Sequence, residues 1–556
     1  MPSRGRIFVI VLALAAVAVA YAVSGGEEKP AAPKNGAASH ADALRISLVY
    51  SPEKAALIEL LIKRFNAEQQ RSGGRLVVID GRNTASGDAE TLIADGKLRP
   101  VLWSPASSFW GRLLNYHADR RLVADENPSI MRTPLVIAMW KQLADAYGYP
   151  RRPLGFKQLD ELATGGWAAV GKPQFGAFKY VHTNPDFSTS GLSAVAASYY
   201  AAVGKREGLT EADVTRARPR VRRLEHSIVH YGETTLFIAD EMRKGGLGYA
   251  SAAAMEETTL IDFNRKAGDG ERLVPVYPEE GTFFSDNPLI TLRGDWVSPE
   301  EAQAAKVFAA FVARTVTPAL AGRYGFRPAD PNQRPAGLVS RANGIDPRQP
   351  QHVLSQPEPD VLARIKSAWH ADRKPANVML VFDNSSSMGG EGKLSQAKAA
   401  LKGFLRHAGD RDRIGLMKFS TDITTLAPIA PMRQNREKLL TTVDQILPDA
   451  DTRVRDATLA GLRTVRAAFD PDAVNAVVVL TDGDDTASDH SAYDTIQALK
   501  REGQRESDQI RVFTIAYGRD ANQQELAAYA DASGGESYEG GTDDIASVYR
   551  KISSFF

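Results

Sequence analysis

Cysteine is absent from all 556 residues. The chain therefore has no disulfides and no cysteine to carry an N-terminal lipid, and any membrane attachment has to come from the polypeptide itself. Charge of one sign is not in excess either. Lys and Arg number 68 against 67 Asp and Glu, which leaves no basic surplus to neutralise a phosphate backbone and excludes nucleic acid as an expected partner. The one basic cluster, 216–223, is read as a solvated helix face. Also missing are a Gly-x-Ser-x-Gly elbow, a His-Glu-x-x-His helix and a phosphate-cradling glycine loop. The chain is accordingly expected not to be an enzyme, with a metal-dependent hydrolase as the least favoured alternative.

Long apolar runs are confined to one, 7–23, which follows Arg4 and Arg6 and stops abruptly at a polar stretch. Residues 1–23 have the form of a secretory signal. The run is long for a cleaved signal and short for a membrane span, and Ala18-Val-Ala20 and Ala20-Tyr-Ala22 both fit signal cleavage, so signal peptide and signal anchor both stand open. The protein is expected to be extracytoplasmic, either anchored in the cell membrane or secreted. Residues 24–43, rich in Ala, Gly, Pro, Glu and Lys without periodicity, are expected to form a disordered tether.

From Leu44 onward short apolar strands alternate with helical segments, which predicts an α/β unit over 44–343. Prolines at 347, 350, 357 and 359 then mark a linker with a short helix, 344–374. A second α/β unit follows over 375–556. Its near-continuous apolar strands, such as Val378-Met-Leu-Val-Phe382 and Ala476-Val-Val-Val-Leu480, suit a parallel sheet covered by helices on both faces.

In such sheets the functional crevice lies beyond the carboxyl ends of the strands. Asp383 follows the first strand of this unit in Asp383-Asn-Ser385-Ser-Ser387-Met-Gly, and Asp482 ends another in Leu480-Thr-Asp482-Gly. Alternate residues of an extended loop point the same way, so Asp383, Ser385 and Ser387 can converge on one cation. An all-oxygen donor set without Cys or His favours a hard ion, Mg²⁺ first, with Mn²⁺ or Ca²⁺ as alternatives. The arrangement resembles the metal-ion-dependent adhesion site of von Willebrand factor A (VWA) domains, which combine an Asp-x-Ser-x-Ser loop, a later Thr and a later Asp. The resemblance extends to Lys393-Leu-Ser-Gln-Ala-Lys398, Asp412-Arg-Ile-Gly415 and Val512-Phe-Thr-Ile-Ala-Tyr-Gly518. It implies a doubly wound, Rossmann-like VWA domain over 375–556, with Asp383, Ser385, Ser387, Thr452 and Asp482 as metal ligands. Thr452 is preferred to Thr458 because it opens its helix at the loop end, although Asp451 precedes it where the family usually has glycine. The resemblance further implies that an acidic side chain of a protein partner completes the ion's coordination.

Residues 44–343 resemble a two-lobed extracellular solute-binding protein of the periplasmic type, on stretches such as Leu48-Val-Tyr-Ser51-Pro-Glu-Lys, Trp103-Ser-Pro-Ala-Ser107 and His182-Thr183-Asn-Pro-Asp-Phe-Ser188-Thr-Ser190. The expected solute contacts are Ser51, Ser104, Ser107, Thr183, Ser188 and Ser190, at strand-to-helix junctions where hydroxyls and free amides could hold a small polar or anionic solute, unless they only cap helices. His226 and His230, four apart on an expected helix, lack a third zinc ligand and are read as packing or surface residues. Trp103, Trp110, Trp140, Tyr199 and Tyr200 are read as core. The function expected is an exported binding protein that joins a solute-binding unit to a metal-dependent protein-docking unit, with a transporter-type solute receptor as the alternative.

Overall fold

The strands that read as unbroken apolar runs become the buried centres of sheets in the computed structural model. It describes residues 43–556 apart from 269, 506, 507, 543 and 544. The expected signal, 1–23, and the tether as far as residue 42 lie outside the described residues. Leu44–Phe556 forms one compact unit.

The first lobe is a sheet around β1 (Leu44–Tyr50), flanked in parallel by β2 (Arg75–Asn83) and β3 (Leu102–Ser104). The second lobe is built on β4 (Met131–Trp140), β5 (Tyr180–Thr183), β6 (Ile228–Gly232) and β7 (Ala252–Glu256), in the order β4-β7-β5-β6. Here β5 runs parallel to β6 and β7, while β4 is antiparallel to β7. Three helices begin beside the gap between the lobes: α1 (Ala55–Ala67), α2 (Ser86–Ala94) and α3 (Thr189–Val203). A basic helix, α4 (Glu211–His226), and α5 (Thr235–Tyr249) flank β6 in sequence. Trp103, Trp110, Trp140, Tyr199 and Tyr200 are all buried, as expected of core.

Helix α6 (Pro359–Asp372) occupies the stretch expected as a linker. Proline at its first turn fits the free amides there, and Val361, Leu362, Ile365, Ala368 and Trp369 form one apolar stripe that joins the core of the solute unit. The Trp369 indole donates to Glu225 Oε2 at 3.0 Å, and Glu225 also accepts from the Tyr231 hydroxyl and meets His182. Four residues of the basic cluster on α4 are paired within the chain, Arg216 with Asp213, Arg218 and Arg222 with Asp372, and Arg223 with Asp160.

In the last unit the sheet order is β10-β9-β8-β11-β12-β13, formed by β8 (Ala376–Asp383), β9 (Arg413–Phe419), β10 (Ile423–Pro431), β11 (Val474–Thr481), β12 (Arg511–Tyr517) and β13 (Ser537–Gly540). All neighbours are parallel except β9 and β10. Every residue of β8 and β11 is buried. The period-two alternation of a strand sends Val378, Leu380 and Phe382 into one layer of core and Met379 and Val381 into the other. Helices α7 (Lys393–His407), α8 (Met432–Asp444), α9 (Val454–Ala467), α10 (Ala492–Gly503), α11 (Gln523–Ser533) and α12 (Ile545–Ser553) complete the doubly wound unit.

Helix α12 serves the fold twice. Ile545, Val548, Tyr549 and Ile552 fill one core layer of the last unit. From the same segment Arg550 pairs with Asp88 of α2 at 3.7 Å, and the Phe555 ring meets Phe237 of α5 at 4.9 Å. The segment thus touches both lobes of the solute unit.

His230 lies in this seam on β6, not on a helix with His226, which ends α4. One ring nitrogen meets the Tyr231 carbonyl and the other the Tyr249 hydroxyl at 2.7 Å, so neither is available to a metal. Burial, and then the Arg511 charge, hold its pKa well below the ordinary 6.5. Below that value the unfolded chain binds a proton that the folded chain refuses, so stability falls as pH falls, by up to about 1.4 kcal/mol per pH unit. Denaturant unfolding between pH 7.5 and 5 should show this slope, and His230→Gln should flatten it.

Candidate functional site

Asp383 and Asp482 are brought to one edge because β8 and β11 are parallel neighbours in register, Phe382 opposite Leu480. Both carboxylates are fully buried. The chain turns immediately after β8, and the Ser385 amide donates to Asp383 Oδ1 at 2.7 Å while the Thr481 hydroxyl donates to Oδ2 at 2.6 Å. The Ser385 and Ser387 hydroxyls lie 2.9 Å apart, and Ser387 donates to Asp482 Oδ1 at 2.6 Å. Thr452 enters from the loop before α9, fixed by its backbone, whose amide donates to the Thr486 hydroxyl and whose carbonyl accepts from the Thr486 and Ala487 amides. A Cβ placed on Gly483 would sit 3.6 Å from the Ser387 hydroxyl and 3.8 Å from that of Thr452. The five expected ligands therefore face one small space. Thr458 does not share it: its hydroxyl donates to the Val454 carbonyl inside α9. Asp451 bonds Thr421.

The donor set fits a hard divalent ion. Among the described residues no three His, Cys, Asp or Glu group as a metal cluster, so a cation here has to use hydroxyls with the two carboxylates, as oxygen-seeking ions do. Burial raises the Asp383 pKa to about 6, against the pull of the Thr481 and Ser385 bonds, and the neighbouring Asp482 charge adds to the rise. Two residues not among the expected ligands complete the site. Thr481 orients Asp383, and Lys393, at the start of α7, donates to Asp482 Oδ2 at 2.7 Å. Both stand inside motifs quoted from the sequence, but their side-chain directions depend on the folded loop.

Between the lobes lies a second space, of about 20 Å³, enough for one water-sized group. Ser51 and Ser188 line it. Neither makes the side-chain cap bond expected of a helix N-cap; the Ser51 hydroxyl donates instead to Glu53 Oε1 at 2.6 Å. The other expected contacts do not line this space. Thr183 and Ser190 bond each other at 2.8 Å with Ser188 beside them, the Ser107 hydroxyl accepts the Phe109 amide, and Ser104 is fully buried on β3. Residues that sequence reasoning passed over do line it: Glu53, Glu233 and Glu256. The lobes approach so closely here that a Cβ on Gly87 would fall 1.8 Å from the Asp186 carbonyl oxygen.

Two families match the sequence. The bacterial extracellular solute-binding protein family matches 46–327 and the von Willebrand factor type A domain matches 377–543. An uncharacterized protein of Mycobacterium tuberculosis is 24% identical over 532 residues, covering 89% of this chain and 74% of its own length. Inter-alpha-trypsin inhibitor heavy chain H4 of Sus scrofa is 29% identical over 166 residues, 29% of this chain and only 18% of that protein. Among solved structures, the periplasmic binding protein P5PA is 12% identical with a TM-score of 0.43, covering 59% of this chain and 99% of that one. The chain belongs to the bacterial extracellular solute-binding protein family and carries a von Willebrand factor type A domain after the solute-binding unit.

Proposed function

We propose that this chain is an extracytoplasmic binding protein, not an enzyme, whose VWA domain uses a divalent cation, Mg²⁺ first, to engage a protein partner, while the two-lobed unit holds a small solute. The observation that carries this reading is the convergence of Asp383, Ser385, Ser387, Thr452 and Asp482 on one space beside Gly483. Two buried carboxylates leave a bound divalent ion with room for further oxygen ligands, and a carboxylate supplied from outside is the natural one. Membrane attachment through 7–23 belongs to the same proposal; among the described residues no helix is long and apolar enough to cross a membrane. The two-lobed architecture also supports a second reading, a receptor that hands its solute to a membrane transporter.

Mn²⁺ titrated into the full chain and followed by electron paramagnetic resonance tests the first reading. One ion per chain is expected, lost with Asp482→Ala, and its spectrum should change when N-acetyl-aspartate amide is added. A bound-ion spectrum indifferent to the added carboxylate would overturn docking through the metal.

A further inference from the structure

The charged side chains that line the interlobe space all carry one sign. Glu53 comes from the turn after β1, Glu233 from the turn after β6 and Glu256 from the end of β7, and among the described residues no Lys, Arg or His lines the space with them. The adjoining base, Lys54, is fully buried and turned away: its Nζ donates to the Pro105 carbonyl at 2.8 Å and to Asn287 Oδ1 at 2.9 Å, with Glu53 Oε1 at 3.7 Å. It offsets one of the three carboxylates.

Glu256 is the informative member. It is 3% exposed, and the one side-chain donor that reaches it is the Thr235 hydroxyl, on Oε2 at 3.1 Å. Its other oxygen receives no side-chain donor among the described residues. Its own backbone amide adds a bond, and since a carboxylate offers about four acceptor positions, several stay open toward the space. Burial and then the Glu53 charge push its pKa up to about 7. The remaining polar lining, Ser188, Thr189 and Thr234, consists of hydroxyls that can accept as well as donate.

An anion would find the free amides at the start of α3, where the helix dipole amounts to roughly half a positive charge. Above the raised pKa values of Glu233 and Glu256 that is outweighed by the carboxylates in the same space. The group that fits is water-sized, positive and rich in N–H donors. Resting on the reading of the two-lobed unit as a solute binder, we propose that its cleft takes a protonated primary amine or free ammonium, with the –NH₃⁺ or NH₄⁺ group seated among Glu53, Glu233 and Glu256. Of the polar or anionic solutes that the helix-start hydroxyls suggest from sequence, this keeps a polar one and drops the anionic.

The test is calorimetric titration of the full chain at pH 8 and fixed ionic strength with ammonium, methylammonium, potassium and phosphate, repeated on Glu256→Gln. Mg²⁺ binding by the variant serves as the folding control. Ammonium or methylammonium should bind at one site, and Glu256→Gln should weaken it roughly tenfold or more, the loss of one charge-assisted hydrogen bond. Tighter binding of methylammonium would identify an organic amine as the source, and tighter binding of ammonium the free ion. Potassium binding as well as ammonium would overturn the need for N–H donors. Phosphate binding that responds to Glu256→Gln would overturn the cationic class while leaving the unit a solute binder. Failure of every solute, together with a higher melting temperature for Glu256→Gln, would overturn both, because the cleft would then be a packed seam with a misplaced carboxylate.

Discussion

Asp383→Ala should abolish Mg²⁺ binding by the full chain. Loss of a group that only orients a metal ligand typically weakens a site about 10- to 100-fold, and Thr481→Ala, which removes the hydroxyl donor to Asp383 Oδ2, belongs to that class. Asp383 is expected to touch the ion itself, so its removal should exceed that range and leave no measurable isotherm. A second readout separates a lost ligand from a broken fold. Holding a carboxyl at about 6 instead of the ordinary ~3.9 costs roughly 3 kcal/mol once it is ionised. The folded state keeps its proton longer than the unfolded one, so in chelator stability is lost as pH rises from about 4 through about 6. Asp383→Asn should therefore be more stable than the parent in chelator at pH 8. Added Mg²⁺ should raise the melting temperature of the parent and not of the variant. Equal stabilisation of both would place the ion elsewhere.

The largest loss of stability should come from Asp412→Ala, at the junction of the two units. Asp412 is 3% exposed and accepts from Arg373 Nη2 at 2.7 Å, from the Ala376 amide at 2.9 Å and from the Gly409 amide at 2.6 Å. These bonds tie the end of α6, the start of β8 and the loop before β9 into one joint. Arg373 is itself buried, with its guanidinium near the Trp369 ring. Removing the carboxylate strands a buried guanidinium and two amides, a loss of about 3–5 kcal/mol. Double replacement, Arg373→Met with Asp412→Leu, should recover much of it, because the penalty lies in the uncompensated charge more than in the absent pair. Denaturant titration of the single and double variants checks both expectations.

The VWA half is legible in sequence because its chemistry sits where chain direction alone can place it. The parallel strands β8 and β11 read as apolar runs, each ends at an Asp, and strand ends of a parallel sheet share an edge. Helix α7 opens with the Lys393-Leu-Ser-Gln-Ala-Lys398 stretch quoted from the sequence. Strand β10 does not read as a strand: it is an exposed antiparallel edge carrying Pro428 and Pro431, which edges tolerate and pattern-matching discounts. The four residues of β13 are too short and too exposed to show alternation. His230 reads as helical from its spacing to His226 only because the turn at Ser227, where α4 gives way to β6, carries no Gly or Pro. In the solute unit the serines at helix starts are visible one by one. The carboxylates Glu53, Glu233 and Glu256 are spread over some two hundred positions and become a set only when the two sheets face each other.

Helix α12 gives the molecule the kinematics of a closed linkage. Two lobes joined by their crossing strands form an open pair of links, free to swing about one hinge. A third body pinned to each lobe, through Arg550 to Asp88 on one side and Phe555 to Phe237 on the other, turns that pair into a triangle, and a triangle of rigid members has no internal rotation. The lobes can swing only if a pin yields. The two pins differ in kind: a partly exposed ion pair, of the sort worth about 1 kcal/mol or less, and an aromatic seat inside a core. The ion pair is the weaker of the two, so any swing of the lobes would load the Arg550 end of the helix before the Phe555 seat.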